Sequence, residues 1–260
     1  METGFVSSLG GTMAITSVGD PGAGLPHIVW GHGWNQSSAA LLPMAESLAR
    51  FAFSTLIDFP GFGRSPMPAG AWGTADYADA VAAWLESLPP GRRLWVGHSF
   101  GCRVGIQIAA RHPGLVAGMV LIAAAGLPRR RTFLERLRLQ GRRRALQIAK
   151  LIVPEGPKRD RLRRRFGSAD YQAAAAMRPI FVKVVNEDLT ATALKVDCPV
   201  LLIYGAEDND TPPEMGMRYQ KSIPGAKLVV LDGFDHLGIL NRGRNQTVQH
   251  IQRFLTSLCS

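Results

Sequence analysis

Leu94-Trp95-Val96-Gly97-His98-Ser99-Phe100-Gly101 runs directly into Cys102-Arg103-Val104-Gly105-Ile106-Gln107-Ile108-Ala109-Ala110. An apolar run reaches a Gly-His-Ser-Phe-Gly pentapeptide and then takes up a helical period, so the stretch reads as strand, tight turn and helix. So sharp a turn leaves no room for side chains two residues before or after the serine, and both positions are glycine. It lifts the Ser99 hydroxyl clear of the sheet. It also sets the Phe100 N–H at a helix N-terminus, where it can face a developing oxyanion. With 28 Gly in 260 residues the pentapeptide alone is a weak signal, and the strand and helix around it carry the reading.

Working outward, strands and helices alternate. Gly4 to Ser8 and Thr12 to Val18 read as a hairpin about Gly10-Gly11. Pro26 to Gly31 is an apolar strand ending in His32-Gly33-Trp34-Asn35, and Ser38 to Arg50 has helical spacing, with Pro43 marking where its regular part starts. A strand from Phe51 to Ile57 closes in Asp58-Phe59-Pro60-Gly61-Phe62-Gly63-Arg64-Ser65. A helix from Thr74 to Leu88 follows, with Thr74 as cap. After the serine helix come strands at Met119 to Ala123, Cys198 to Tyr204, and Lys227 to Leu231, with helices at Pro213 to Ser222 and Asn245 to Leu258. The strands are too uniformly apolar for a one-sided sheet, so a mostly parallel sheet covered on both faces is expected. The alternation lapses between 127 and 195, which reads as a helical insertion.

Composition narrows the class. The chain can bury one large core, and 46% hydrophobic content indicates a globular protein. Met1 to Phe5 has no basic start before an apolar core, so no signal peptide is expected. The longest apolar run, about Leu115 to Leu127, is too short to span a bilayer. Cys102, Cys198 and Cys259 have no metal-ligand spacing and cannot all pair, which favours a reducing, cytoplasmic compartment and no metal site. Cys102 reads as a small packing residue. The net charge of +10 is concentrated: Leu127 to Phe166 holds 15 Lys and Arg against three acids, a local +12, leaving −2 for the rest.

A serine becomes a nucleophile when a base and an orienting acid reach it. Two later strands end in suitable loops: Gly205-Ala206-Glu207-Asp208-Asn209-Asp210-Thr211, and Asp232-Gly233-Phe234-Asp235-His236-Leu237. Loops at one edge of a sheet can converge on the serine across a long stretch of sequence. Asp210 and Glu207 are rivals to Asp208, and both read as solvated acids. His32 and His98 are candidates for the substrate pocket, although His98 beside the serine and His32 before its glycine also fit packing or supporting roles. His27, His112 and His250 read as incidental.

Five pieces occur in order: His32-Gly33-Trp34, Asp58 to Ser65, Gly97 to Gly101, Gly205-x-x-Asp208 and Gly233-x-x-His236. Over nearly its whole length the chain therefore resembles the α/β-hydrolase superfamily. That resemblance implies a mostly parallel eight-stranded sheet with helices on both faces, residues 1–126 and 196–260 forming the core, and residues 127–195 forming a basic helical lid. It implies Ser99 as nucleophile, His236 as general base and Asp208 as orienting acid, with the Trp34 and Phe100 backbone N–H groups as the oxyanion hole. Asp58 would fix its loop. No cofactor is implied. Serine at the elbow argues against dehalogenase and epoxide-hydrolase chemistry, which use aspartate there. Carboxylic ester hydrolysis is the leading expectation. Carbon–carbon bond hydrolysis of the meta-cleavage type, and a non-catalytic binding protein that keeps the fold, are the alternatives.

The insertion carries Arg129-Arg130-Arg131, Arg142-Arg143-Arg144 and Arg161-Leu162-Arg163-Arg164-Arg165, interleaved with Phe133, Leu134, Leu137, Ile148 and Ile152. These are amphipathic basic patterns. They fit a solvated face, a docking surface for an acidic carrier protein, or an anionic surface. No nucleic-acid motif accompanies them. The His-Gly-Trp loop and the Asp58 to Ser65 turn are also similar to those of the pimeloyl-acyl-carrier-protein methyl esterases. The residue after Gly101 is Cys102, where that group commonly has a second glycine.

Overall fold

The computed structural model describes residues 1–129 and 175–259. Among them eight strands form one sheet: β1 (Glu2–Ser8), β2 (Gly11–Val18), β3 (His27–Gly31), β4 (Phe53–Asp58), β5 (Arg93–His98), β6 (Gly118–Ile122), β7 (Val200–Gly205) and β8 (Lys227–Leu231), in the order β1-β2-β4-β3-β5-β6-β7-β8. β2 runs antiparallel to β1 and β4, and every pairing from β4 to β8 is parallel. The described helices are α1 (Leu42–Ser47), α2 (Thr74–Ser87), α3 (Phe100–Arg111), α4 (Arg178–Asn186), α5 (Thr190–Ala193), α6 (Pro213–Ser222) and α7 (Arg244–Cys259). Most of the expected insertion, 130–174, lies outside the described residues.

The unbroken apolar strands are explained by two cores. All six residues of β5 are buried. Trp95 joins Val29, Leu121 and Leu202 on one face, beneath Tyr77 and Val81 of α2, Val104 of α3 and Tyr219 of α6. Leu94 and Val96 join Ile28, Trp30, Val120 and Ile203 on the other, beneath Met44 of α1 and Ile251 and Phe254 of α7. The strand period of two thus supplies both cores from one run.

Two local expectations are corrected. The helix anticipated over 38–50 is a 3-10 turn at Ser38–Ala40 followed by the short α1. The Ser38 N–H is held by Asp58 Oδ1 at 2.6 Å, and Pro43 occupies the first turn, where its missing N–H is tolerated. Thr74 is the first residue of α2 rather than its cap. Gly73 holds the cap position and donates its N–H to Asp76 Oδ2 at 2.6 Å, while Thr74 donates its N–H to Glu187 Oε1 at 2.9 Å and its hydroxyl to Glu187 Oε2.

The serine turn is forced by close backbone approach. A Cβ on Gly97 would stand 2.6 Å from the Gly101 carbonyl, and one on Gly101 would stand 2.0 Å from the Gly31 carbonyl oxygen of β3. The second glycine therefore answers to the neighbouring strand more than to its own turn. Between them Ser99 adopts φ 50° and ψ −101°, a strained conformation for a side chain with a Cβ. Its N–H is held by Ile122 O at 3.0 Å.

The loops after β3 and β4 are tied by buried polar groups. Asp58 Oδ1 takes Ser38 N–H, and Oδ2 takes Arg64 N–H at 3.0 Å and Arg64 Nε at 3.3 Å. Burial works against its charge, yet the Ser38 and Arg64 hydrogen bonds hold its pKa below the usual carboxylate value. His32 is fully buried. Phe59 N–H donates to its Nε2 at 3.1 Å, so the ring proton sits on Nδ1 and goes to Gly33 O at 2.7 Å. Burial pushes its pKa down to about 4.

Two outcomes follow for stability. Gly101→Ala lowers the unfolding free energy by at least about 2 kcal/mol in denaturant titration, since both clashing groups are backbone. Gly91→Ala, whose nearest contact would be 3.9 Å, changes it little. For His32, pKa is about 4 folded and ordinary, near 6.5, unfolded. Its contribution is full above 6.5 and is lost as pH falls toward 4. Stability therefore drops by on the order of 2 kcal/mol between pH 7 and pH 5 from this residue alone, with proton uptake on unfolding. A shallower slope in His32→Asn than in wild type is the expected comparison, the remaining fall coming from the half-buried His27 and the buried His98.

Candidate active site

The loops after β3, β5, β7 and β8 all leave the sheet at the carboxyl ends of parallel strands, where α/β sheets open a crevice. They surround a cavity of about 450 Å³ lined by Trp34, Ser99, Phe100 and His236, with Phe181, Val184 and Val185 of α4 forming a wall. The described end of the insertion therefore stands against the site.

Asp208 is 3% exposed and fully used. Its Oδ1 accepts the N–H groups of Asp210 and Thr211, each at 2.8 Å. Its Oδ2 lies 2.8 Å from the Thr211 hydroxyl and 2.7 Å from His236 Nδ1. Burial alone would raise its pKa, but the His236 and Thr211 hydrogen bonds outweigh it and hold the carboxyl below its ordinary value. A carboxylate can only accept, so His236 carries its proton on Nδ1, which leaves Nε2 with a lone pair. The turn bearing His236 reaches Asp208 because Gly205 has no side chain: a Cβ there would stand 2.1 Å from Phe234 O. Glu207 N–H also donates to Phe234 O at 3.0 Å.

The three acids of this loop differ in burial and in partners. Asp210 and Glu207 are exposed, and neither accepts from His236. Asp208, Asp210 and His236 hold potential ligand atoms within 4.8 Å of one another, but the hydrogen bonds just described occupy Nδ1 and both Asp208 oxygens. Ser99 and His236 line one cavity, although no hydrogen bond joins them among the described residues. Trp34 and Phe100 are neighbours, their rings 5.6 Å apart and edge-on. Phe100 opens α3, where its N–H has no helical acceptor.

Of the two pocket histidines, only His98 lines the cavity; His32 is sealed beneath the loop. His98 faces Gln36 Oε1 through Nδ1 and the His236 carbonyl through Nε2, both at 3.2 Å. Gln36 Oε1 also receives the Gly33 N–H at 2.8 Å. Burial, and then the charge of His236, push the His98 pKa down to about 3, so the ring is neutral and donates to one acceptor at a time. It links the Gly33–Gln36 loop to the backbone of His236. His27 instead meets Thr55, and His112 meets Asp79. Cys102 is buried against the Gly97 and Ile122 carbonyls.

Sequence reasoning missed Thr211, Gln36 and Arg103. Thr211 was detectable three residues after Asp208, where its N–H and hydroxyl can turn back onto the carboxylate. Arg103 was detectable by period: it is four residues beyond Ser99 on a helix otherwise buried through Val104, Ile106 and Ile108. Gln36 left no such mark.

No helix among the described residues is long and apolar enough to cross a membrane. The chain is 29% identical over 233 residues, covering 83% of it and 89% of the relative, to a pimeloyl-[acyl-carrier protein] methyl ester esterase of Chromobacterium violaceum. A bacterial membrane phospholipase A superposes with a TM-score of 0.78 at 23% identity, covering all of this chain and 87% of that one. A thermophilic esterase from Thermogutta terrifontis does so with a TM-score of 0.72 at 21% identity, covering both chains fully. The sequence model described as "Alpha/beta hydrolase family" matches residues 21–245, and with the sheet order and the serine turn this establishes that the chain belongs to the alpha/beta hydrolase family.

Proposed function

We propose that the protein hydrolyses carboxylic esters through an acyl-enzyme, with Ser99 as nucleophile, His236 as general base and Asp208 as the acid that orients it. The observation that carries this reading is the 2.7 Å hydrogen bond from His236 Nδ1 to the buried, ionised Asp208, on a ring that lines the cavity of Ser99. Asp208 fixes the tautomer, so Nε2 can take the hydroxyl proton as Ser99 Oγ attacks the ester carbonyl. The N–H groups of Trp34 and Phe100 would stabilise the tetrahedral oxyanion, each donor typically being worth about 3 kcal/mol. The intermediate expels the alcohol with the proton returned by His236. Water, deprotonated by the same nitrogen, then releases the acid and regenerates Ser99.

Within this reading residues 1–126 and 196–260 form the catalytic core, and 127–195 form the segment that covers the site. The wall of Phe181, Val184 and Val185 supports that division. The unpaired Cys102 and Cys198 support a cytoplasmic setting. A narrower reading is favoured by the relative whose name specifies an acyl-carrier-protein substrate, together with the +12 of residues 127–166: the basic segment docks an acidic carrier that delivers the ester.

Two measurements bear on this. With p-nitrophenyl acetate, Ser99→Ala loses essentially all turnover, and Asp208→Asn lowers kcat roughly 10⁴-fold because an amide no longer enforces the Nδ1–H tautomer. Retention of activity in Ser99→Ala overturns the esterase reading. For the carrier reading, raising NaCl from about 50 to 500 mM increases KM for a carrier-bound methyl ester by roughly tenfold while leaving small esters unaffected, since only the docking charges are screened.

A further inference from the structure

Arg103 lines the same cavity as Ser99 and stands one helical turn further along α3, about 6 Å of axial rise away. Among the described residues it is the one Lys or Arg in the cavity lining. Its charge is only partly committed. Nη1 donates to the Val184 carbonyl at 3.0 Å and the Glu187 carbonyl at 3.3 Å, at the C-terminal end of α4. Among the described residues no carboxylate forms an ion pair with it, and Nε and Nη2 donate to nothing. Neither atom is sealed off, for neither is among the fully buried polar atoms left without a partner. Nε and Nη2 make up the edge of a guanidinium that a carboxylate engages with two parallel hydrogen bonds. The side chain is partly buried, and burial lowers its pKa against the opposing pull of Tyr219 and Glu187, the mark of a cation poorly served by solvent. Asp210, the acid that also lines the cavity, is exposed, so water and salt screen its charge more strongly.

We propose that Arg103 is a specificity-determining anion receptor within the substrate cavity, and that the favoured substrates are esters whose acyl chain ends in a carboxylate. The proposal rests on the esterase reading above and deepens it. Ser99 would take the ester carbonyl while Nε and Nη2 of Arg103 hold the distal carboxylate. The two α4 carbonyls on Nη1 keep the fork aimed.

The test compares monoethyl succinate, glutarate and adipate with the corresponding diethyl esters, using wild type, Arg103→Met and Arg103→Lys, with thermal unfolding run alongside. The expected result is a wild-type kcat/KM at least roughly tenfold higher for one or more half-esters than for its diester. Arg103→Met abolishes that preference by raising KM for the half-ester at least roughly tenfold more than KM for its diester, and Arg103→Lys restores part of it. Equal rates on charged and neutral esters in wild type overturn the proposal. So does a parallel loss on every ester in Arg103→Met, which makes the residue a pin for α4 alone. Calorimetric titration of glutarate into wild type and Arg103→Met gives a readout independent of turnover. Arg103-dependent binding without hydrolysis of any ester upholds the anion receptor while sinking the esterase reading, and no binding in either protein sinks the receptor.

Discussion

The site depends on one steric constraint: the backbone of α3 starts so close to β3 that the Gly31 carbonyl oxygen occupies space a Gly101 side chain would need. That approach compresses the turn between β5 and α3, holds Ser99 at φ 50°, and projects it from the middle of the sheet rather than along it. A second approach does the same on the other side, where Phe234 O lies where a Gly205 side chain would be. Two missing side chains thus bring residues more than a hundred positions apart in the chain to one cavity. Each contact is backbone on backbone, so neither can relax by rotating a side chain.

Electrostatics then sort the titratable groups. Histidine and aspartate sit under the same roof, yet burial treats them differently because their partners differ. His32 and His98 have no carboxylate hydrogen-bonded to them, so burial keeps them neutral and they serve as hydrogen-bonding struts. Asp58 and Asp208 are each surrounded by N–H and O–H donors that outweigh the burial penalty, so they stay ionised. His236 and Thr211 both line the cavity and both bond Asp208, so they join the ionised set to it.

Much of this was legible in the sequence because it is local. The apolar runs of β3, β5, β6 and β7, the paired glycines about Ser99 and the Gly-x-x-Asp spacing are short-range patterns with a steric cause, and the strands fell within a residue or two of where period and glycine put them. What escaped had a distant cause. Thr74 is not a cap because Glu187, over a hundred residues away, takes its N–H. His32 does not reach the cavity because Phe59 N–H and Gly33 O hold its ring inside. Gln36 acquires its place from His98. Periodicity reports which face a residue takes, not which partner arrives there from another part of the chain. The Arg-rich run 130–174 stays a statement about charge.

The wall of the cavity and its chemistry come from different parts of the chain. Phe181, Val184 and Val185 belong to α4, whereas Ser99, Asp208 and His236 hang from strand ends. α4 is fastened at its C-terminal end, where Glu187 meets Thr74 and Lys183 meets Asp76. None of those bonds touches Asp208 or His236. Under the proposed mechanism, changes in the three wall residues can therefore alter the fit of a substrate without touching the Asp208–His236 hydrogen bond. On the proposed reading, substitutions along α4 can change which groups the cavity accepts while the strand ends that carry Ser99, Asp208 and His236 stay as they are.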